Sequence, residues 1–506
     1  MTKSRRFSGQ RWLSAALGTL TVACMVRFAV KSAFFVLRDL QMDLAVRIFG
    51  ARSARDGLSP YLNNLTAGLR YWDGSTHVYS SFIFPPSVAL FFLPLAALPY
   101  LAAKALWTLG SCVAIVLALT FSARLAQVRL DRYRILGLIA IAAVFHPLLL
   151  HIERGQFEAF LLLAVMACAV TLDRRPFLAG AFLAPAIALK LHCALLLPFL
   201  ALRSRWLAIL GAGLAFAAIE LASAATLGPK LELDYWSHEL PRIVRIDDRR
   251  SPAGPELPAE VLDRRPGAPV GEVVVDGRPY TPSTVRFAHN ATLVRPLRAL
   301  VERTLGVGPM ASSPISLALF GCFFLVVMAK HWQLRKLVLS PPTHLSYWLV
   351  ALVSVMLSAP LTWVMSVVWV LPAVLLMCSR EVRSLADRNR VAAIAACAGL
   401  VWIGSPEVIG PDLGPALYHQ AKYPMALLLM FPFLLTASMP AAPMMPPTGV
   451  MGSGEKDSPV AESSKTSSMQ RASSGCPPLG RETQSAQRVT RAGPQTGHET
   501  AQGASG

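Results

Sequence analysis

A polar run that sets acids among aromatics, and holds Asp43, Gly57, Pro60 and Tyr61, is the first part of this chain that could do chemistry. It lies in the stretch Arg38 to Pro86, which gathers acids (Asp39, Asp43, Asp56, Asp73), aromatics (Tyr61, Tyr71, Trp72, Tyr79) and the rigid pair Pro85-Pro86. A carboxylate so placed can serve as a general base, with Asp43 the first candidate and Asp39 the second. The competing reading of Asp43 is an ordinary acid at a helix N-terminus, where the dipole favours it. Lys190 draws notice because it lies deep in an apolar run. Such a lysine either snorkels its amine to the surface or, as an ionisable group within a membrane segment, is functional by default. Glu153, Arg154 and Gln156 interrupt apolar sequence between two further runs. There a plain interhelical turn competes with a functional role, as a structural role does for His289 and Asn290.

The elements that must position these groups are membrane helices. A chain of 506 residues at 54% hydrophobic and 15% charged, with mean hydropathy +0.48, is not a soluble globular domain. A hydrocarbon core about 30 Å thick asks for roughly 20 apolar residues per helix. Reading every apolar stretch as a crossing places spans at 13–37, 82–100, 104–123, 135–150, 157–172, 177–200, 206–227, 314–329, 344–357, 361–378, 391–409 and 423–439. The fold class expected is therefore an all-α polytopic bundle of about ten to twelve transmembrane helices with outward-facing loops. Several stretches are short enough to be half-helices or re-entrant. Residues 1–12 form a cytoplasmic N-terminus, and the first segment runs too far past its basic flank for a cleavable signal.

The formal charge of +19 suggests nucleic-acid binding only until the lysines and arginines are located. They sit in short clusters beside apolar ends, which is the positive-inside pattern, so no nucleic-acid partner is expected. Counting back from residue 206 puts the N-terminus, Arg203 with Arg205, 330–336 and 380–390 on the cytoplasmic side. The segments 38–81 and 228–313 then face outward. Strict alternation also puts Arg124 to Arg134 and Arg174-Arg175 outside, against the rule. Either 82–98 is re-entrant, which moves both clusters inside, or packing overrules loop charge.

The insert 228–313 is proline-broken and nearly neutral, with a short hairpin expected around Glu272 to Pro279, turned at Asp276-Gly277. From Asp43 to Pro60 the pattern reads as an interfacial amphipathic helix, capped by Gly57 and turned by proline. Eight scattered cysteines make no C-x-x-C or metal spacing and read as small buried hydrophobes; no metal site is expected. Residues 440–506 lack aliphatics and read as a disordered cytoplasmic tail, leaving 13–439 as the membrane domain.

In order along the chain, these patterns resemble glycosyltransferase family 87, the polyprenyl-phosphate-mannose-dependent mannosyltransferases of the C-type glycosyltransferase fold. The resemblance rests on Asp43 with Gly57 and Pro60-Tyr61, on Phe84-Pro85-Pro86 and Pro94-Leu95, on Gly155-Gln156, on Lys190 before Arg205-Trp206, and on Asn290-Ala291-Thr292. It covers roughly residues 12–440, and its force lies in the ordered set. Two departures stand out: the late Asp-His-His that often follows Ser-Pro-x-Ser-Trp is replaced by Val364, Met365 and Ser366, and the aromatic four residues after the first Asp is replaced by Arg47.

The resemblance implies an inverting transfer of a hexose, mannose first, from a polyprenyl-phosphate donor to a lipid or glycan acceptor at the outer face of the cell membrane. It assigns Asp43 as the catalytic base and Tyr61, Gln156, Lys190, Arg286, Asn290 and Arg295 to substrate, with Lys190, Arg286 or Arg295 meeting the departing phosphate. The lipid-linked sugar is a co-substrate and no cofactor is expected; nucleotide-sugar motifs and a DxD pair are not evident. A polytopic lipid or solute transporter and a non-catalytic family member are the alternatives.

Overall fold

The computed structural model describes residues 2–38, 41–61, 82–241, 274–275, 278–279, 304–306, 309–335, 339, 341–358, 364–378 and 427. Arg286, Asn290, Arg295, the apolar stretch 391–409, all of 423–439 except Leu427, and the tail fall outside these residues. The chain is an all-α polytopic membrane protein. Its helices are α1 Thr2–Leu37, α2 Met42–Arg55, α3 Pro86–Ala96, α4 Tyr100–Leu125, α5 Arg132–Val144, α6 His146–Arg154, α7 Glu158–Thr171 and α8 Pro176–Leu189. A 3-10 turn Leu191–Leu196 leads to α9 Leu197–Leu202, and then come α10 Trp206–Leu227, α11 Pro229–Asp234 and a π turn Tyr235–Glu239. Further on are α12 Pro309–Leu334, α13 Pro341–Ser358, a 3-10 turn Val364–Val370 and α14 Ala373–Cys378. The expected hairpin is present as β1 Val274–Val275 and β2 Arg278–Pro279, paired antiparallel.

Among the described residues, α1 from Ser14, α4 and α10 are each long and apolar enough to cross a bilayer, and α5 with α6, bent by 53°, makes a fourth. The bend falls at Phe145, where the chain turns extended before Pro147 at the start of α6. Pro147 has no N–H to offer the Ala143 carbonyl and its ring clashes with that group, so a helix cannot run unbroken from α5 into α6.

Side-chain contacts fix which helix ends lie together. Ser14 and Tyr133 share a hydrogen bond of 2.7 Å, and Thr21 Oγ1 donates to the Leu136 carbonyl at 3.2 Å, so the beginning of α1 meets the beginning of α5. At the far end, Lys104 Nζ donates to the Arg38 carbonyl at 2.8 Å, and Gln41 Nε2 donates to Thr108 and to the Ile152 carbonyl. Trp107 Nε1 donates to the carbonyls of Gly155 and Gln156. Thus α4 and α7 start at the same level and run side by side to the opposite end.

Two expected crossings are corrected here. The stretch 82–100 forms only α3, 11 residues, about 16 Å at helical rise, too short for the roughly 30 Å core. Its two ends lie against the same turn of α2: the Phe82 ring closes on Gly50, and Arg52 donates to the carbonyls of Ala96 and Leu98. The stretch 177–200 also enters and returns. Arg205 pairs with Asp173, so the turn before α8 and the turn after α9 sit together, and α8 packs along α10 from that shared end. The break at Lys190, where the backbone becomes extended before the 3-10 turn, is the tip of the excursion.

These two re-entrant pieces gather the turns carrying Arg124 to Arg134, Arg174-Arg175 and Arg203 to Arg205 at one end of the bundle. The conflict in the alternation count disappears, by the first of the two routes open to the sequence. A third correction concerns α2. It is 14 residues long and ends at Gly57 in the left-handed region (φ 73°), as expected, but Leu44 to Phe49 are all buried. The helix is packed into the bundle by Phe82, Val88, Phe92 and Tyr100 and presents no continuous amphipathic face to an interface.

Candidate active site

Asp43 lies in the first turn of α2, at the bundle end opposite the basic turns. Its Oδ2 accepts a hydrogen bond of 2.5 Å from Gln156 Nε2; Oδ1 has no hydrogen-bond partner among the described residues. Gln156 reaches α2 because α6 ends in a Schellman turn. Gly155, at φ 67°, donates its N–H to the Ile152 carbonyl while the Gln156 N–H donates to that of His151. A side chain at 155 would meet Leu44 Cβ at 2.6 Å, so glycine is required twice, for backbone sign and for closeness.

Arg47, one helical turn beyond Asp43, completes the cluster. Its Nη2 donates to Gln156 Oε1 at 2.6 Å and its Nη1 to the Gly155 carbonyl at 2.8 Å. The guanidinium lies 4.2 Å from the Phe157 ring centroid and 4.9 Å from that of Phe84. Burial pulls Arg47 down to about 10, with Asp43 and then Glu158 acting the other way, and it keeps its charge.

A second group lies one residue pair along. Lys190 Nζ pairs with Glu158 Oε1 and donates to Ser366 Oγ at 3.3 Å, while Ser366 donates to Glu158 Oε1 at 3.1 Å. Trp369 Nε1 donates to the Glu158 carbonyl at 3.2 Å. All four residues are buried. Lys190 also lies 5.5 Å from the Phe157 ring, so one aromatic ring is flanked by both cations. Around this pair, Glu158 Oε2, His192 Nε2 and both ring nitrogens of His151 have no hydrogen-bond partner among the described residues.

The sequence-expected residues thus fall into three sets. Asp43 and Gln156 are in contact, and Lys190 belongs to the adjoining buried pair. Tyr61 is nearby but enclosed: its hydroxyl donates to the Phe84 carbonyl at 2.8 Å and its ring stacks on Tyr235. Burial, then Tyr235, hold that hydroxyl above its ordinary range, so it is a neutral donor. Arg286, Asn290 and Arg295 make up the third set, outside the described residues. Glu158, Ser366, Trp369 and the role of Arg47 were missed. The signal for Glu158 was available, since an acid and a lysine that each interrupt an apolar run need one another. Ser366 stands at the end of the departed late motif. Among the described residues no group of three or more His, Cys, Asp or Glu is placed to hold a metal ion.

Neither the search of curated proteins nor that of solved structures returns a match. A family model does match, over residues 82–265, the segment that holds Gln156, Glu158 and Lys190 but begins after Asp43 and Arg47. Its description is glycosyltransferase family 87, so this segment of the chain is similar to that family.

Proposed function

We propose that the protein transfers a hexose, mannose first, from a polyprenyl-phosphate donor to a lipid or glycan acceptor at the outer face of the cell membrane, with inversion. The observation that carries the reading is a half-buried carboxylate, Asp43, held by one oxygen at the bundle end opposite the basic turns, with Arg47 beside it and buried Lys190 by the same Phe157 ring as Arg47. Basic turns favour the cytoplasmic side, which supports reading Asp43 as outward-facing. A polyprenyl-phosphate sugar keeps its tail in the bilayer and its reacting carbon at the surface, and so meets an enzyme arranged this way.

In the proposed reaction the acceptor hydroxyl donates its proton to Asp43 Oδ1 as its oxygen forms the new bond to the anomeric carbon. The bond to the phosphate oxygen breaks in line, and the polyprenyl phosphate leaves with the electron pair. Positive charge opposite the departing oxygen lowers the barrier. Arg286 and Arg295 are candidates for that role, and Lys190 a third if it exchanges Glu158 for the phosphate. Gln156 holds the base, and Tyr61 and Asn290 remain proposed substrate contacts.

The test is transfer from radiolabelled polyprenyl-phosphate mannose to membrane acceptors by the full-length protein. Asp43→Asn keeps the shape and the helix-starting ability of Asp43 and is expected to lower turnover on the order of 10² to 10⁴. Asp43→Glu should rescue poorly because orientation matters, and Asp39→Asn should cost much less. Near-normal transfer by Asp43→Asn at equal membrane levels would remove Asp43 from the mechanism.

A further inference from the structure

We infer that Arg47 is a positioning residue that fixes the orientation of the Gln156 amide, so that its N–H and not its carbonyl faces Asp43; this rests on reading Asp43 as the base. A guanidinium has donors and no acceptor. The Gln156 atom that meets Arg47 Nη2 at 2.6 Å is therefore the carbonyl oxygen. The other end of the amide is then Nε2, which donates to Asp43 Oδ2 at 2.5 Å.

Arg47 is itself held in place. Its second nitrogen is bonded to the Gly155 carbonyl, its plane is enclosed by Phe84 and Phe157, and it is fully buried. Asp43 and Arg47 are four residues apart and share one face of α2. One helix thus supplies both ends of the chain of hydrogen bonds, and the turn between α6 and α7 supplies the bridge. With Oδ2 committed to a neutral donor, Oδ1 is aimed and remains available for the acceptor proton. Without Arg47 the amide can rotate half a turn and set its carbonyl oxygen against the carboxylate. That arrangement favours the protonated acid, which accepts no proton.

Gln156→Glu is the principal test because it is isosteric and keeps a partner for Arg47. Arg47 holds the new carboxylate ionised, so the proton shared by two adjacent carboxyls rests on Asp43. The other ionisable groups on α2 are Arg52 and Arg55, with Asp56 just beyond its end, and α3 carries none. On the neighbouring parts of the chain are Lys31 of α1, Arg38 just after it, Tyr100 and Lys104 of α4, His151, Glu153 and Arg154 of α6, Glu158 of α7 and Lys190 after α8. All are common to both proteins and set the baseline, not the shift.

With polyprenyl-phosphate mannose as probe and full-length protein in membranes, the acid limb of kcat/KM is expected to move up by about one pH unit. Turnover on that limb then falls roughly tenfold and returns at alkaline pH, with donor KM within about twofold. Arg47→Met should shift the same way, and Arg47→Lys, which keeps a cationic donor, should shift less. A second readout needs no turnover: a carbodiimide couples to protonated carboxyls, so the pH midpoint of its addition to Asp43, followed by peptide mass spectrometry, should rise in Gln156→Glu. An unmoved midpoint overturns the proposal, as does a raised donor KM with an unshifted pH profile, which assigns Gln156 to substrate. Wild-type turnover by Asp43→Asn overturns the base reading alone, and the Asp43 carbodiimide midpoint in Arg47→Met, which keeps Gln156, still decides the orientation of the amide.

Discussion

Glu158 and Lys190 each break an apolar run, and the bundle brings them together where neither meets water. Removing charge from one member of a buried pair strands the other at a cost of roughly 3–5 kcal/mol, whereas apolar residues in both places are often tolerated. Glu158→Gln and Lys190→Met should each lower the melting temperature and membrane yield, and Glu158→Leu combined with Lys190→Met should recover both. If Lys190 also meets the donor phosphate, the double variant recovers yield without turnover; single variants that melt like the parent would show that the pair is not what holds the tip of the excursion. At this scale the sequence was legible wherever one residue is unusual for its surroundings, as with Asp43, Gln156 and Lys190. It was illegible where meaning lies in pairing. Arg47 read as a mere departure from an aromatic because nothing in the local sequence tells that residue 156 folds back onto it. Glu158 did interrupt an apolar run, but at the start of a helix an acid needs no further explanation, and its partner Lys190 lies 32 residues away.

Among the elements, three glycines divide by what lies over them. Gly180 and Gly211 let α8 and α10 touch backbone to backbone: a Cβ at 180 would fall 1.8 Å from the Ala208 carbonyl oxygen, and one at 211 would fall 2.1 Å from that of Phe177. Gly57, which ends α2, has no described residue within 4 Å of its would-be Cβ, but its φ is 73°. Gly57→Ala should therefore cost only about 1 kcal/mol, the left-handed penalty. Gly180→Ala must instead push α8 and α10 apart, and should abolish accumulation of folded protein in the membrane or shift its melting temperature far more than Gly57→Ala does. Equal melting of the two variants would contradict the close crossing. Helix α2, its glycine end and the β1–β2 ribbon were legible because turn residues announce themselves locally. The fate of 82–100 and 177–200 was not, because hydropathy measures whether a segment prefers lipid or protein interior to water and says nothing of whether it crosses. Pro94 and Pro185 inside those two helices were the available hint that each would be broken.

For the molecule as a whole, the consequence of two re-entrant pieces is a topology that charge and packing now share. The turns at 126–131, 172–175 and 203–205 lie at one end of the bundle, together with Ser14, and Asp43, Gly57 and Gly155 lie at the other. A cysteine placed at Arg129, Arg174 or Ser204 should then resist an impermeant thiol reagent added to intact cells and react once the membrane is opened. One placed at Gly57 or Lys230 should react in both conditions, measured against the parent protein with its eight native cysteines. Position 174 is the most telling. Strict alternation through twelve spans puts it outside, whereas the Arg205–Asp173 pair ties it to residues 203–205, so labelling at 174 in intact cells would contradict the re-entrant assignment even if every other site behaved as expected. Uniform reversal of all five sites would leave the fold intact but put Asp43 on the cytoplasmic side. The outward donor would then have to be given up, while the pairing of Asp43 with Gln156 would stand.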